Sequence, residues 1–76
     1  MKASQLEKQL KELLEYTDDR GIIYFKGRVI RYDEGLVTLF IGNTRYNELK
    51  EELEKFGIQS IKSLNNNKHI TYRGEK

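Results

Sequence analysis

The hydrophobic period of this chain first changes near residue 22, and that change decides which folds are open to it. Before it, Leu6, Leu10, Leu13 and Leu14 recur at steps of three and four, one stripe of a helix. After it, Ile22, Ile23, Tyr24, Phe25, Val29, Ile30 and Tyr32 crowd a stretch rich in β-branched and aromatic residues, as strands are. A chain that begins helical and then turns to short strands belongs to the α+β class.

Local chemistry supplies the elements. Residues 4–16 are predicted as the first helix, with Ser4 and Glu7 as a capping box and Glu7–Lys11 as an ion pair on its wet face. The run Thr17-Asp18-Asp19-Arg20-Gly21 breaks it. Residues 22–32 read as one long strand, Asp33-Glu34-Gly35 as a tight turn and residues 36–41 as the returning strand. A second helix over residues 44–56 sets Tyr46, Leu49, Leu53 and Phe56 on one stripe and pairs Glu51 with Lys55. It starts at an Asn43 or Thr44 cap and stops at Gly57. Residues 58–64 and 68–73 make a closing hairpin across Asn65-Asn66-Asn67, with Gly74-Glu75-Lys76 expected to fray. The order is αββαββ. Short connections favour a four-stranded antiparallel sheet with two helices packed on one face, in a single domain over residues 1–76.

At 76 residues such a domain is near the lower limit for a self-supporting core. With no cysteine and a single histidine, it has neither a disulfide nor a His/Cys metal cluster to lean on. Pairing with a second copy would supply the missing burial, so a homodimer is expected. The lack of cysteine suits a reducing compartment. The longest apolar run, residues 36–41, is far too short to span a bilayer, and Met1-Lys2-Ala3-Ser4 opens no signal-peptide stretch. A cytoplasmic protein without a membrane partner is the expectation.

Catalysis finds little footing. His69 stands alone, and Ser4, Ser60 and Ser63 lie in no nucleophile elbow. Asp18 and Asp19 are separated from Asp33 and Glu34 by a whole strand, too far to share a metal. The six glycines are scattered and form no phosphate-cradling loop. No catalytic, metal or cofactor-binding residue is assigned, and neither an enzyme nor a small-molecule substrate is expected.

Alternation across a sheet covered on one side leaves the other side bare. On residues 22–32 it places Ile23, Phe25 and Val29 toward the helices, with Tyr24, Lys26, Arg28, Ile30 and Tyr32 opposite. Phe40, His69 and Arg73 join the second set from later strands, with Lys62 a further candidate. Rings interleaved with cations give unpaired bases a stacking surface and hold phosphates. The same rings are too apolar to leave bare on a monomer, which argues for burial against a protein. The net charge of +2 permits either partner. The expected function is a non-enzymatic small regulatory or inhibitory protein acting on a protein surface as a homodimer. The alternative is a single-stranded nucleic-acid binder. The binding residues expected are Tyr24, Lys26, Arg28, Tyr32, Phe40 and Arg73.

Two short passages are similar to known families. A helix ending in Thr17-Asp18-Asp19-Arg20-Gly21 ahead of paired strands resembles a LAGLIDADG homing-endonuclease half, although Leu13-Leu14-Glu15-Tyr16 lacks the small residues on which that family's helices pack. The run from Gly27 through Asp33 to Val37 resembles the glycine-strand-aspartate-strand passage of Sm-like RNA-binding proteins, a fold without a helix like that of residues 44–56. Each covers a minority of the chain, and neither transfers any site residue.

Overall fold

Most of the leucine stripe is buried as its spacing requires: Leu6, Leu10 and Leu14 sit in the core together with Ala3, while Leu13 packs half-buried at its margin. They belong to α1 (Ala3–Leu14), the first element of the computed structural model, which describes residues 1–75. There follow β1 (Glu15–Thr17), β2 (Ile23–Phe25), β3 (Gly27–Arg31), β4 (Leu36–Gly42), α2 (Asn43–Glu54), β5 (Ile58–Leu64) and β6 (Asn67–Arg73). Strands β3 to β6 form an antiparallel sheet in the order β3-β4-β6-β5. Its buried side chains are Val37, Leu39, Ile41, Ile70 and Tyr72, all on one side, and they share a single cluster with the α1 leucines and with Tyr46 and Leu53 of α2. The chain is therefore α+β, with two helices on one face of a four-stranded antiparallel sheet.

Helix α1 lies over β3 and β4, while α2 lies over β4 and β6. The Tyr72 hydroxyl donates to the Leu53 carbonyl at 3.1 Å, tying β6 to the last turn of α2. Burial pushes that hydroxyl's pKa well above its ordinary value. Truncating one of these fully enclosed side chains to alanine costs about 2–5 kcal/mol, a large share of what so small a domain possesses.

The first helix begins earlier and ends sooner than its local sequence implies. Its cap is not Ser4 with Glu7; Gln5 Oε1 accepts the Lys2 N–H at 3.2 Å instead. The Ala3 amide donates to the Glu75 carbonyl at 2.7 Å, and the Glu75 amide donates to the Met1 carbonyl at 2.8 Å. Tertiary pairing thus satisfies donors that a cap would otherwise serve. Gly74 and Glu75, expected to fray, are held by this bridge and by the Gly74 amide donating to the Gly35 carbonyl at 2.7 Å. Lys76 lies outside the described residues. A Cβ on Gly35 would collide with the Gly74 carbonyl oxygen, and one on Gly74 would meet Ala3 Cα at 2.8 Å, so turn, helix start and final segment close on a corner that admits only small residues.

At its other end α1 stops at Leu14, and Glu15–Thr17 continue as a strand paired with Ile23–Phe25. The expected single strand over residues 22–32 is broken at Lys26, whose amide donates to the Leu14 carbonyl at 2.9 Å. Only the second part enters the main sheet. The first part forms a separate two-stranded hairpin. Gly27 lies at the junction because the Phe40 carbonyl oxygen and the Leu14 side chain would stand 2.7 and 3.0 Å from any Cβ there.

The second half keeps closer to expectation. Helix α2 spans Asn43–Glu54 with Gly42 at its N-cap, so neither Asn43 nor Thr44 caps it. Gly57 leaves it with a φ of +77°, a conformation cheap only for glycine. The closing hairpin joins the first through β4 and β6, in a register that sets Leu39 against Ile70 and Val37 against Tyr72.

Candidate functional site

Two surfaces carry side chains that the core does not use. The first is the outer face of the four-stranded sheet. Because Val37, Leu39 and Ile41 point into the helices, Leu36, Thr38 and Phe40 point away from them. Register then builds rows across the face. Arg28, Phe40, His69 and Lys62 stand side by side, and beside them Ile30, Thr38, Thr71 and Ser60. Leu36 and Arg73 begin a third row. The Phe40 and His69 rings meet edge to face with centroids 4.6 Å apart.

No carboxylate occupies any of these outward positions. The acidic residues lie instead on the helices, on β1, in the turns and at Glu75. Arg28 and Lys62 have no ion-pair partner among the described residues, whereas Arg73 is held by donating to Gln59 Oε1 at 2.9 Å and to the Glu34 carbonyl at 3.5 Å. The face is a cationic, partly aromatic platform whose charge is unopposed.

The second surface is the β1–β2 hairpin. Tyr16 and Tyr24, opposite each other in register, stack with centroids 5.3 Å apart. The Lys26 ammonium lies 4.7 Å from the Tyr16 ring centroid, and an Arg20 Nη2–H donates to the Tyr24 hydroxyl at 3.0 Å. The loop between the strands is organised by Asp18. Its carboxylate accepts the amides of Arg20 and Ile22 at 2.9 and 3.0 Å and pairs with the Arg20 guanidinium at 2.9 Å. The Ile22 amide has the largest effect on the Asp18 carboxylate; desolvation, next in size, opposes it, and the Arg20 donors then help to hold the pKa below its ordinary value. Gly21, at a φ of +83°, completes the reversal.

Apolar groups are left in water here: Ile22 is 43 %, Ile23 56 % and Phe25 54 % exposed. Phe25 borders an open groove against α1 that is lined by Lys11, Leu14, Gly27, Arg28 and Val29. The assignment of Ile23 and Phe25 to the core is thus corrected, because the break at Lys26 takes them out of the sheet that the helices cover.

The six residues singled out from sequence do not share one face. Arg28, Phe40 and Arg73 lie on the outer sheet face. Tyr24 and Lys26 belong to the hairpin, and Tyr32 stands half exposed beyond β3, its amide donating to the Leu36 carbonyl at 2.7 Å. Tyr16 beneath Tyr24 was missed, since residues 4–16 read as helix and only pairing with β2 brings it there. His69, on the same side as Arg73 by alternation, is set beside Phe40 by the β4–β6 register. Lys62 also enters through register, as β5 follows β6 in the sheet. Among the described residues no three His, Cys, Asp or Glu side chains gather as a metal site, and no helix is long and apolar enough to cross a membrane. No protein-family model, curated protein or solved structure matches the chain.

Proposed function

We propose that this chain is a non-enzymatic regulatory or inhibitory protein that acts by occupying the surface of another protein, and that it does so as a homodimer. The observation that carries the reading is the apolar hairpin, with Ile22, Ile23 and Phe25 about half exposed on a two-stranded unit. Exposed apolar clusters of this kind mark interaction sites, and buried aromatic anchors supply most of the energy of protein interfaces. The Asp18 loop presents the cluster on an ordered turn, which lowers the entropy lost on docking. A reducing compartment such as the cytoplasm suits a chain without cysteine.

The test is recovery of tagged protein from its own cells beside Ile23→Glu and Phe25→Glu variants. Loss of an anchor costs about 2 kcal/mol or more, a thirtyfold weakening that removes the specific partner from the recovered material. Recovery of the same proteins by wild type and both variants would refute the hairpin as the docking element.

A second reading rests on a different observation, the acid-free outer face with its Arg28, Phe40, His69 and Lys62 row. Such a face suits single-stranded nucleic acid, each stacked base contributing about 1–3 kcal/mol. Fluorescence polarisation with labelled oligonucleotides should then show binding that falls steeply with salt and weakens in Phe40→Ala and Arg28→Ala. No binding at low salt eliminates it.

A further inference from the structure

Beyond Ile58, which packs at the edge of the core, strand β5 is covered on neither side. It is the last strand of the sheet and pairs only with β6. Every residue from Gln59 to Leu64 is exposed. Ile61 pairs with buried Ile70 and so lies on the helix side of the sheet, yet it is 40 % exposed, and Leu64 is 49 % exposed. The reason is architectural: α1 and α2 lie over β3, β4 and β6. A seven-residue strand with a free row of backbone donors and acceptors is a template for another strand.

We propose that β5 pairs antiparallel with β5 of a second copy about a two-fold axis through Ile61, joining two four-stranded sheets into one of eight strands. The inference rests on the homodimer reading above and names its seam. The strand's own residues argue for a second copy as the occupant. Residues directly opposite in an antiparallel pair share a face, so a self-paired strand must be centred on a residue and not between two. Centring on Ile61 sets Ile61 against Ile61, Ser60 against Lys62 and Gln59 against Ser63. The single charge of the strand then meets a neutral hydroxyl, and the two uncovered isoleucines cover each other. Centring on Lys62 would oppose two like charges, which is unfavourable. The bulge between Ile58 and Ser60 lies at the strand's start and leaves the central pairs regular. The other free edge, β3, has five residues and carries Arg28 and Arg31, with Arg31 committed to Glu7 of α1 at 3.6 Å.

The absence of native cysteine makes the test clean. Opposed Cβ atoms lie about 4.5–5.5 Å apart across such a pair, close enough for a disulfide with slight adjustment. Ile61→Cys should oxidise to a covalent dimer about tenfold or more faster than Ile23→Cys, an exposed control on the hairpin. Ile61→Glu and Ile61→Lys should each be monomeric by light scattering with unchanged circular dichroism, and their equimolar mixture should dimerise again. A wild-type dimer that persists in Ile61→Lys, or equal crosslinking of the two cysteine variants, overturns the β5 seam and leaves the homodimer standing. A wild type that stays monomeric at millimolar concentration overturns both. An extended segment of a different protein on this edge would leave Ile61→Cys uncrosslinked.

Discussion

Strands β2 and β6 are built from the same kinds of residue and meet opposite fates. Ile23 and Phe25 of β2 are 56 % and 54 % exposed, while Ile70 and Tyr72 of β6 are fully buried. Propensity does not separate them. Position does: β6 lies between β4 and β5 beneath α2, whereas β2 has only three-residue β1 beside it. β-Branched and aromatic composition says that a segment will be extended; whether a layer lies above it is settled by elements distant in sequence. A two-stranded hairpin alone is marginal in water. This one persists through the Tyr16–Tyr24 stack, the Asp18 loop and its attachment to α1.

The sharpest way to break the comparison is to remove one apolar side chain from each strand. Ile70→Ala should cost about 2–5 kcal/mol in urea denaturation, and Ile23→Ala no more than about 0.5. Equal losses would mean that the hairpin is part of the core. The junction between the two regions comes next. Gly27→Ala, which drives a methyl against the Phe40 carbonyl and Leu14, should cost about 1–3 kcal/mol in the same measurement. Gly42→Ala, whose nearest neighbour would be 3.9 Å away, meets no clash and should cost no more than about 1 kcal/mol, the penalty of alanine at the α2 N-cap.

Hydrogen exchange should then rank the regions without mutation. Amides of β1 and β2 should exchange through local opening, and those of β4 and β6 only through global unfolding. The smallest effect concerns pH. Folding lowers the Asp18 pKa from an ordinary value near 3.8, so its contribution is complete above that value and disappears as pH falls through the lower folded one. The Arg20 and Ile22 amide resonances should titrate together with a midpoint below the ordinary value. A midpoint at or above it would show that the carboxylate does not order the loop.

Where the signal was local, the sequence was readable. The α1 leucine stripe, the Asp33–Gly35 turn with Gly35 at a φ of +84°, and the stop at Gly57 depend on neighbours a few residues away. The break at Lys26 was not readable in the same way, because alternation continues unbroken from Ile22 to Tyr32. Its one local trace is Gly27, an isolated glycine within a strand pattern, which marks close backbone approach. The end of α1 at Leu14 depends on Glu15 and Tyr16 finding Phe25 and Tyr24, and the cap at Lys2 depends on Glu75. The outer face was legible in part. Alternation placed Arg28, Phe40, His69 and Arg73 there, with Lys62 a further candidate, but which of them stand side by side needed the order β4-β6-β5, which no short-range pattern encodes.

The place of β6 in that order bears on how the molecule is made. Translation delivers residues 67–73 after all the other strands, yet they fill a central slot of the sheet and bring Ile70 and Tyr72 into the core. Until they emerge, β4 has an unfilled flank, β5 has no neighbour, and the second helix has only half a floor. A nascent chain must wait in that unfinished condition, and a product cut short before Asn67 would lack the middle of its own sheet.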